Sequence, residues 1–179
     1  MVQRNFVAAI TLAAALCAVL SPAVAYEDQA RVTIGAGIFG FGVASDPKYI
    51  EGSLAYRFQN GLFGTDGVFR GFKPIVGVTA ESAGSLFGYA GFAAPFVFGS
   101  EKRWEVDAEG GLGAYRQGSS PLYLGGTFEF HVGLAGSYAV TDSGRLGVAV
   151  FHISNADIHR KNPGVNSILA TWAYSFNGL

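Results

Sequence analysis

Apolar and polar positions alternate along most of the chain with a period of two residues. Between residues 104 and 116, for example, Trp104 and Leu112 share one parity, whereas Glu105 and Asp107 share the other. A period of two is typical of β-strands, because successive side chains point to opposite faces of a sheet. The pattern predicts eight strands joined by short turns, near residues 31–43, 48–58, 69–80, 85–98, 103–116, 123–139, 145–154 and 165–176.

These predicted strands are long for a soluble sheet and have the length that a tilted strand needs to cross a bilayer. A membrane barrel carries apolar side chains outside and polar or small ones inside, whereas a soluble lipocalin-like barrel does the reverse. Glu105, Asp107 and Glu109 share their face with glycines, a composition that fits a lumen. We therefore predict an all-β fold, an eight-stranded antiparallel transmembrane β-barrel, since bacterial outer-membrane barrels have an even strand count.

The start of the chain has a different pattern. Arg4 precedes an apolar run over residues 6–20, and small residues follow up to Tyr26. This is the layout of a secretory signal peptide, and the run is too short for a transmembrane helix. We predict a signal peptide over residues 1–25 and a barrel domain over residues 26–179, located in the bacterial cell outer membrane.

Composition and charge narrow the possible partners and chemistry. The chain of 179 residues contains 26 glycines, 15 phenylalanines and 8 tyrosines, a bias that suits a barrel with an aromatic exterior. Its formal net charge of −1 and its lack of a basic stripe argue against nucleic acid. The single cysteine, Cys17, lies in the predicted signal peptide, so we expect no disulfide in the barrel.

Candidate chemistry is concentrated at the end of the seventh predicted strand. His152 and Ser154 are two residues apart and share the face of Val150, which alternation turns toward lipid. An imidazole beside a hydroxyl supplies a general base and a nucleophile, although His152 could also be an interfacial residue that only packs. With both chain ends on the periplasmic side, the loop 155–164 would lie outside the cell, and the natural substrate would be a membrane lipid.

The pattern H-x-S-N-A at residues 152–156, then N-P-G-x-N-S at 162–167, then alternating aromatics up to residue 176, resembles the lipid A 3-O-deacylase (PagL) family of outer-membrane acyl hydrolases. The motifs match over residues 150–179, whereas the rest of the chain resembles the family only in its predicted architecture. The resemblance implies a serine carboxylic ester hydrolase that removes an ester-linked acyl chain, expected at the 3-O position, from the lipid A of lipopolysaccharide. Such acyl transfer to water requires no metal or other cofactor.

The resemblance assigns Ser154 as nucleophile, His152 as general base and Asn155 to the oxyanion hole, although Asn155 could also be a turn residue. The family pattern has a glutamate at the start of the last strand that orients the histidine, and this chain has Asn166 there. Asn166 shares the outward face, so it could accept a hydrogen bond from His152. A neutral amide, however, cannot stabilise imidazolium as a carboxylate does.

Three interpretations follow from Asn166. It serves as a weaker orienting residue, which we favour; Asp157 in the loop replaces the missing acid; or the protein is a non-catalytic outer-membrane barrel with a structural or surface-interaction role. In the same loop, Arg160 and Lys161 could bind the phosphates and acidic sugars of lipopolysaccharide, or they could belong to an ordinary solvated loop.

Overall fold

Eight β-strands form the protein in the computed structural model, which describes residues 29–42 and 47–177. The strands are β1 Ala30–Phe39, β2 Tyr49–Arg57, β3 Lys73–Glu81, β4 Leu86–Phe98, β5 Trp104–Arg116, β6 Phe128–Ala139, β7 Gly144–Ser154 and β8 Val165–Phe176. Within these described ranges, no helix has the length and apolar character needed to cross a membrane. The predicted signal peptide over residues 1–25 lies outside the described residues.

The eight strands close into a single antiparallel barrel. Each strand pairs with its neighbours in sequence, and β1 also pairs with β8, from Ala30 opposite Phe176 to Phe39 opposite Ser167. Closure leaves no free sheet edge, and it satisfies the backbone N–H and C=O groups within the wall, which is the condition for strands that lie in lipid. The predicted eight-stranded antiparallel barrel is confirmed.

Side chains alternate between the outside and the inside of the wall as the sequence pattern predicted. On β5, the side chains of Trp104 and Leu112 are 58% and 52% exposed, whereas Glu105 is 1% exposed. On β6, Val132 is 61% exposed and His131 is 1% exposed. The apolar side chains therefore face outward, which is the arrangement of a membrane barrel and the reverse of a soluble one.

The two rims of the barrel differ in what they carry. Both ends of the described chain lie at one rim, where Gln29 Nε2 donates a hydrogen bond to Asn177 Oδ1 at 3.5 Å. The opposite rim, which we call the loop rim, carries the connections 82–85, 117–127 and 155–164. His152 and Ser154 lie at the loop-rim end of β7.

The barrel interior has two halves of different chemistry. The half at the loop rim contains an apolar cluster of Phe39, Phe87, Tyr115, Leu124, Phe151, Ile153, Val165 and Leu169, and it also buries the polar side chains of Glu51, Glu129, His131 and Ser167. In the other half, Arg57 lies 2.9 Å from Glu105 and from Asp107, and Arg31 also pairs with Glu105. Side chains thus fill the lumen, as in other small barrels. Of the acids that the sequence placed in the lumen, Glu105 and Asp107 have arginine partners there, and Glu109 lies 3.3 Å from His131 Nε2.

The start of β3 differs from the prediction. β3 begins at Lys73 rather than near residue 69. Residues 68–70 pair instead with the end of β4, where the Val97 N–H donates to the Val68 carbonyl at 2.8 Å. The two-residue alternation in this segment therefore reflects strand-like pairing. The segment belongs to the connection 58–72, however, which covers the edge of β4.

The prediction that all connections are short is also wrong. β6 begins at Phe128 rather than near residue 123, so residues 117–127 form a loop above the rim. The connection 58–72 is long as well, whereas the loop 155–164 has the predicted bounds. Turn residues mark where a chain can bend, but the length of a loop depends on what it packs against, which local sequence does not encode.

Candidate active site

His152 and Asn166 face each other across the β7–β8 hairpin on the outside of the barrel wall. They are directly opposite in the strand register, and His152 Nδ1 lies 2.8 Å from Asn166 Oδ1. An amide oxygen can only accept a hydrogen bond, so Nδ1 carries the proton and donates it. Nε2 is then unprotonated and can accept a proton. The structure brings together the two residues that the sequence predicted to meet.

Ser154 lies two residues beyond His152 on the same face of β7, opposite Phe130 of β6. Its side chain is half-buried, whereas that of His152 is exposed. Within the described residues, no hydrogen bond joins Ser154 Oγ to the His152 ring. Catalytic hydrogen bonds are often long or unformed without substrate. The structure therefore shows that His152 and Ser154 share one face of β7, but it shows no hydrogen bond between them.

Gly164 forms a close wall beside the His152 ring. A Cβ at position 164 would lie 2.6 Å from His152 Cε1 and 2.9 Å from Nε2, and Gly164 has a φ of 62°. Both the space and the backbone conformation therefore require glycine here. The Pro163-Gly164 pair, which the sequence indicates only as a turn, also fixes the position of the imidazole.

Asn155 points away from Ser154, toward the barrel interior, and is fully buried. Its Nδ2 donates hydrogen bonds to the carbonyl oxygens of Leu124 at 2.7 Å and Lys161 at 2.8 Å. Both side-chain N–H groups are thus used to hold two loops together. Donation to an oxyanion would require one of these bonds to break, so the oxyanion-hole role stays a prediction beside a clear structural role.

The chain bends sharply directly after Asn155. Ala156 and Asp157 have φ values of 50° and 64°, in the left-handed region that costs an L-residue about 1 kcal/mol, and such strain is common at ligand sites. Asn162 supports the bend, because its Oδ1 accepts the Asn155 N–H at 3.0 Å and its Nδ2 donates to Asp157 Oδ1 at 3.1 Å. Asp157 therefore binds Asn162, and it is Asn166 that binds His152.

Two loops of the loop rim interlock above the candidate site. A Cβ at Gly125 would collide with the Lys161 carbonyl, and a Cβ at Gly126 would collide with the His159 ring. This close approach joins the loop 117–127 to the loop 155–164. The role of these glycines was not predicted from the sequence. Its only signal there is their adjacency, which is typical of a backbone that packs closely against another segment.

Arg160 and Lys161 project from the loop 155–164, and both side chains are exposed. Neither side chain forms an ion pair or a hydrogen bond within the described part of the chain. Below this loop, the outward face near Ser154 is apolar and consists of Phe128, Phe130, Val132, Val150 and Ile168. The site therefore combines cationic groups above the wall with an apolar surface along it, as an amphipathic lipid would require.

Fold and site together define an outer-membrane β-barrel with a histidine and a serine on its lipid-facing wall. Three solved structures share this fold. The outer membrane enzyme PagL has a TM-score of 0.62 and 18% identity, over 82% of this chain and 99% of that one. A de novo designed transmembrane β-barrel has a TM-score of 0.54 and 11% identity, over 84% of this chain and 98% of that one. Neisserial surface protein A has a TM-score of 0.51 and 15% identity, over 82% of this chain and 96% of that one. These likenesses concern the fold alone.

The sequence comparison is more specific. The model of the lipid A 3-O-deacylase (PagL) family matches residues 48–175, so the chain belongs to this family, as the resemblance indicated. The lipid A deacylase PagL of Bordetella bronchiseptica (strain ATCC BAA-588 / NCTC 13252 / RB50) is 36% identical over 73 residues. That alignment spans 38% of this chain and 40% of the relative.

Proposed function

We propose that this protein is a lipid A deacylase that hydrolyses an ester-linked acyl chain of lipopolysaccharide, at the 3-O position, by serine esterase chemistry. Ser154 is the nucleophile, His152 the general base and Asn166 the residue that orients the imidazole. Residues 1–25 direct export and are removed, and the loop rim faces the cell exterior, so the site meets lipid A in the outer leaflet.

The first half of the reaction transfers the acyl group to the enzyme. Ser154 Oγ attacks the ester carbonyl carbon while its proton passes to His152 Nε2, the nitrogen left free by the bond from Nδ1 to Asn166. The carbonyl oxygen becomes an oxyanion, to which Asn155 is the predicted donor. The bond to the sugar oxygen then breaks, and the proton moves from Nε2 to that oxygen, which leaves as a free hydroxyl.

The second half regenerates the enzyme. Water gives a proton to His152 Nε2 and adds its oxygen to the acyl carbon, and the bond between that carbon and Ser154 Oγ breaks as Oγ recovers the proton. The products are a free fatty acid and lipid A with one acyl chain fewer. Arg160 and Lys161 would hold the anionic headgroup, because exposed cations attract phosphates at the membrane surface.

One observation carries this proposal: the hydrogen bond from His152 Nδ1 to Asn166 Oδ1, on the lipid-facing wall beside Ser154, in a barrel of the lipid A 3-O-deacylase family. It fixes the tautomer that general-base catalysis by Nε2 requires. The location also fits an ester that lies at the membrane interface, because its acyl chain can follow the apolar wall.

The test compares lipid A from cells that express the wild-type protein, Ser154→Ala or Ser53→Ala. Ser53 lies on the lumen side of β2 and serves as the matched control. Mass spectra should show lipid A lacking one acyl chain with the wild type and with Ser53→Ala, and unchanged lipid A with Ser154→Ala, since loss of the nucleophile costs on the order of 10⁶-fold in rate. Equal deacylation with and without the Ser154 hydroxyl would refute the mechanism.

A non-catalytic barrel is the second candidate, and two observations favour it. His152 has an amide partner instead of a carboxylate, and the Ser154 hydroxyl is not bonded to the ring. In that case lipid A from cells with the wild-type protein would equal that from cells without it, while the protein still folds and inserts.

A further inference from the structure

A cleft opens at the end of β5, on the loop rim, beside the loop that carries Arg160 and Lys161. It has a volume of about 350 Å³ and is lined by Tyr115, Arg116, Gln117, Tyr123, Gly126 and Thr127. This lining contains one cation and no carboxylate. The catalytic proposal above makes no use of any of these residues.

Arg116 is the feature that gives the cleft its chemistry. Its side chain is exposed and has the outward parity of Trp104 and Leu112 on the same strand, so it points toward the outer-leaflet headgroups rather than into the lumen. Within the described residues, its guanidinium has no acidic or hydrogen-bonding partner. An unpaired guanidinium with five N–H donors matches the geometry of a phosphate, which it can bind through two parallel hydrogen bonds.

Further donors surround the guanidinium. Gln117 Nε2 uses one hydrogen bond on the Ser120 carbonyl at 2.8 Å, which leaves its second N–H available. The Tyr123 hydroxyl donates to the Gly125 carbonyl at 2.7 Å, and this bond holds the aromatic wall in place. Thr127 contributes a hydroxyl. The cleft thus offers several donors and a fixed wall to an anion.

The cleft adjoins the candidate active site. Gly126 lines the cleft and at the same time packs against His159 of the loop 155–164. In the strand register, Ser154 is opposite Phe130 and Phe130 is opposite Leu112, so Arg116 lies two strands across and four residues farther toward the rim. At about 3.3 Å per residue and 4.8 Å per strand, the Cα atoms of Ser154 and Arg116 are roughly 16 Å apart.

We propose that the Arg116 cleft binds a lipid-borne phosphate group on the headgroup of the substrate while the ester lies at Ser154. The inference rests on the proposed function for the identity of the lipid. The separation matches the scale of a phosphorylated disaccharide, and the phosphate lies closer to the rim than the ester, as in any amphipathic glycolipid. Arg116 is then a specificity-determining residue that favours phosphorylated over dephosphorylated substrate.

Binding is measured on the full barrel carrying Ser154→Ala, in detergent micelles, so that no turnover interferes. The two ligands are bisphosphorylated lipid A and the same lipid after phosphatase treatment. The Ser154→Ala barrel should prefer the phosphorylated lipid by about tenfold, the value of a charge-assisted hydrogen-bond pair of about 1.4 kcal/mol. Adding Arg116→Gln should sharply reduce this preference, leaving only what Arg160 and Lys161 contribute, whereas adding Arg103→Gln should preserve it, because Arg103 pairs with Glu101 near the opposite rim.

Equal affinity for the two lipids in the Ser154→Ala barrel, or a preference that Arg116→Gln leaves unchanged, would overturn the proposal. Inorganic phosphate is the third ligand: if it binds in an Arg116-dependent way without any preference between the lipids, the cleft is a site for free phosphate and the lipid-borne assignment is wrong. Turnover by the wild type is assayed separately. A barrel that shows the preference but never releases fatty acid would contradict the catalytic proposal alone.

Discussion

In the proposed mechanism, Asn166 holds the His152 ring in the required orientation, but it cannot share the positive charge that the ring would acquire. The bond between Nδ1 and Oδ1 selects the tautomer with a free Nε2. When Nε2 takes the serine proton, a carboxylate partner would stabilise the imidazolium, whereas an amide offers only a dipole. We therefore expect this site to be oriented correctly and to work more slowly than one with a carboxylate.

Asn166→Glu should raise kcat by about tenfold or more, because the reverse exchange of carboxylate for amide in a serine protease triad costs roughly 10⁴-fold. Asn166→Leu, which removes the acceptor, should lower kcat. The assay is fatty acid release from lipid A in mixed micelles, with folding checked by heat-dependent gel migration. A sharp loss of activity in Asn166→Glu would show that this position has another role.

Gly164→Ala should lower kcat by about 100-fold, because the new Cβ would push the His152 ring away from its position and small displacements of catalytic groups cost this much. Gly99→Ala is the matched control. Gly99 also has a left-handed φ, of 84°, but lies near the opposite rim with its nearest contact at 3.9 Å. Both changes should cost about 1 kcal/mol of backbone strain. Equal activity of the two variants would show that Gly164 does not fix the position of the His152 ring.

At the scale of elements, the β7–β8 hairpin is fixed from two directions. The strand register places His152 opposite Asn166 on the outside of the wall. The loop above is tied to its neighbour through Asn155, which bonds to the Leu124 carbonyl at 2.7 Å. The geometry of the candidate site therefore depends on the loop 117–127, which contributes no group to the proposed chemistry.

Asn155→Ala separates the loop-tying role from the predicted oxyanion-hole role. Loss of two buried hydrogen bonds should destabilise the loop 155–164 by about 2–3 kcal/mol and increase hydrogen exchange of its amides, with a fall in kcat. Mass-detected hydrogen exchange and fatty acid release are measured on the same samples. A fall in kcat with unchanged exchange would assign Asn155 to the oxyanion hole alone.

Strands and loops also differ in how far the sequence predicted them. The faces of β5 and β6 followed from a two-residue period, because the orientation of each side chain in a strand depends on its immediate neighbours. The contact between His152 and Asn166 was predicted from the family resemblance, with which the parity of Asn166 agreed. The bond from Asn155 to Leu124 joins residues 31 positions apart in two irregular loops, and no local pattern encodes it. The start of β3 at Lys73 was missed for the same reason.

At the scale of the whole molecule, the barrel holds the candidate site on its outer surface and uses its interior for stability. Ion pairs of Arg31 and Arg57 with Glu105 and Asp107 fill one half of the lumen, and an apolar cluster together with the buried polar side chains of Glu129 and His131 fills the half under the site. A packed interior gives the wall a fixed shape, so the outward side chains keep their positions in the bilayer. In the proposed reaction, a lipid substrate would reach Ser154 by lateral diffusion in the membrane.

Covalent labelling measures whether Ser154 is a nucleophile that His152 activates. The purified barrel is incubated with a lipophilic phosphonate ester that reacts with activated serines, and the intact mass is measured. The wild type should gain one adduct, Ser154→Ala none, and His152→Ala should react at least 100-fold more slowly, since the general base activates the hydroxyl. An unlabelled wild type, or an adduct that persists in Ser154→Ala, would contradict the account.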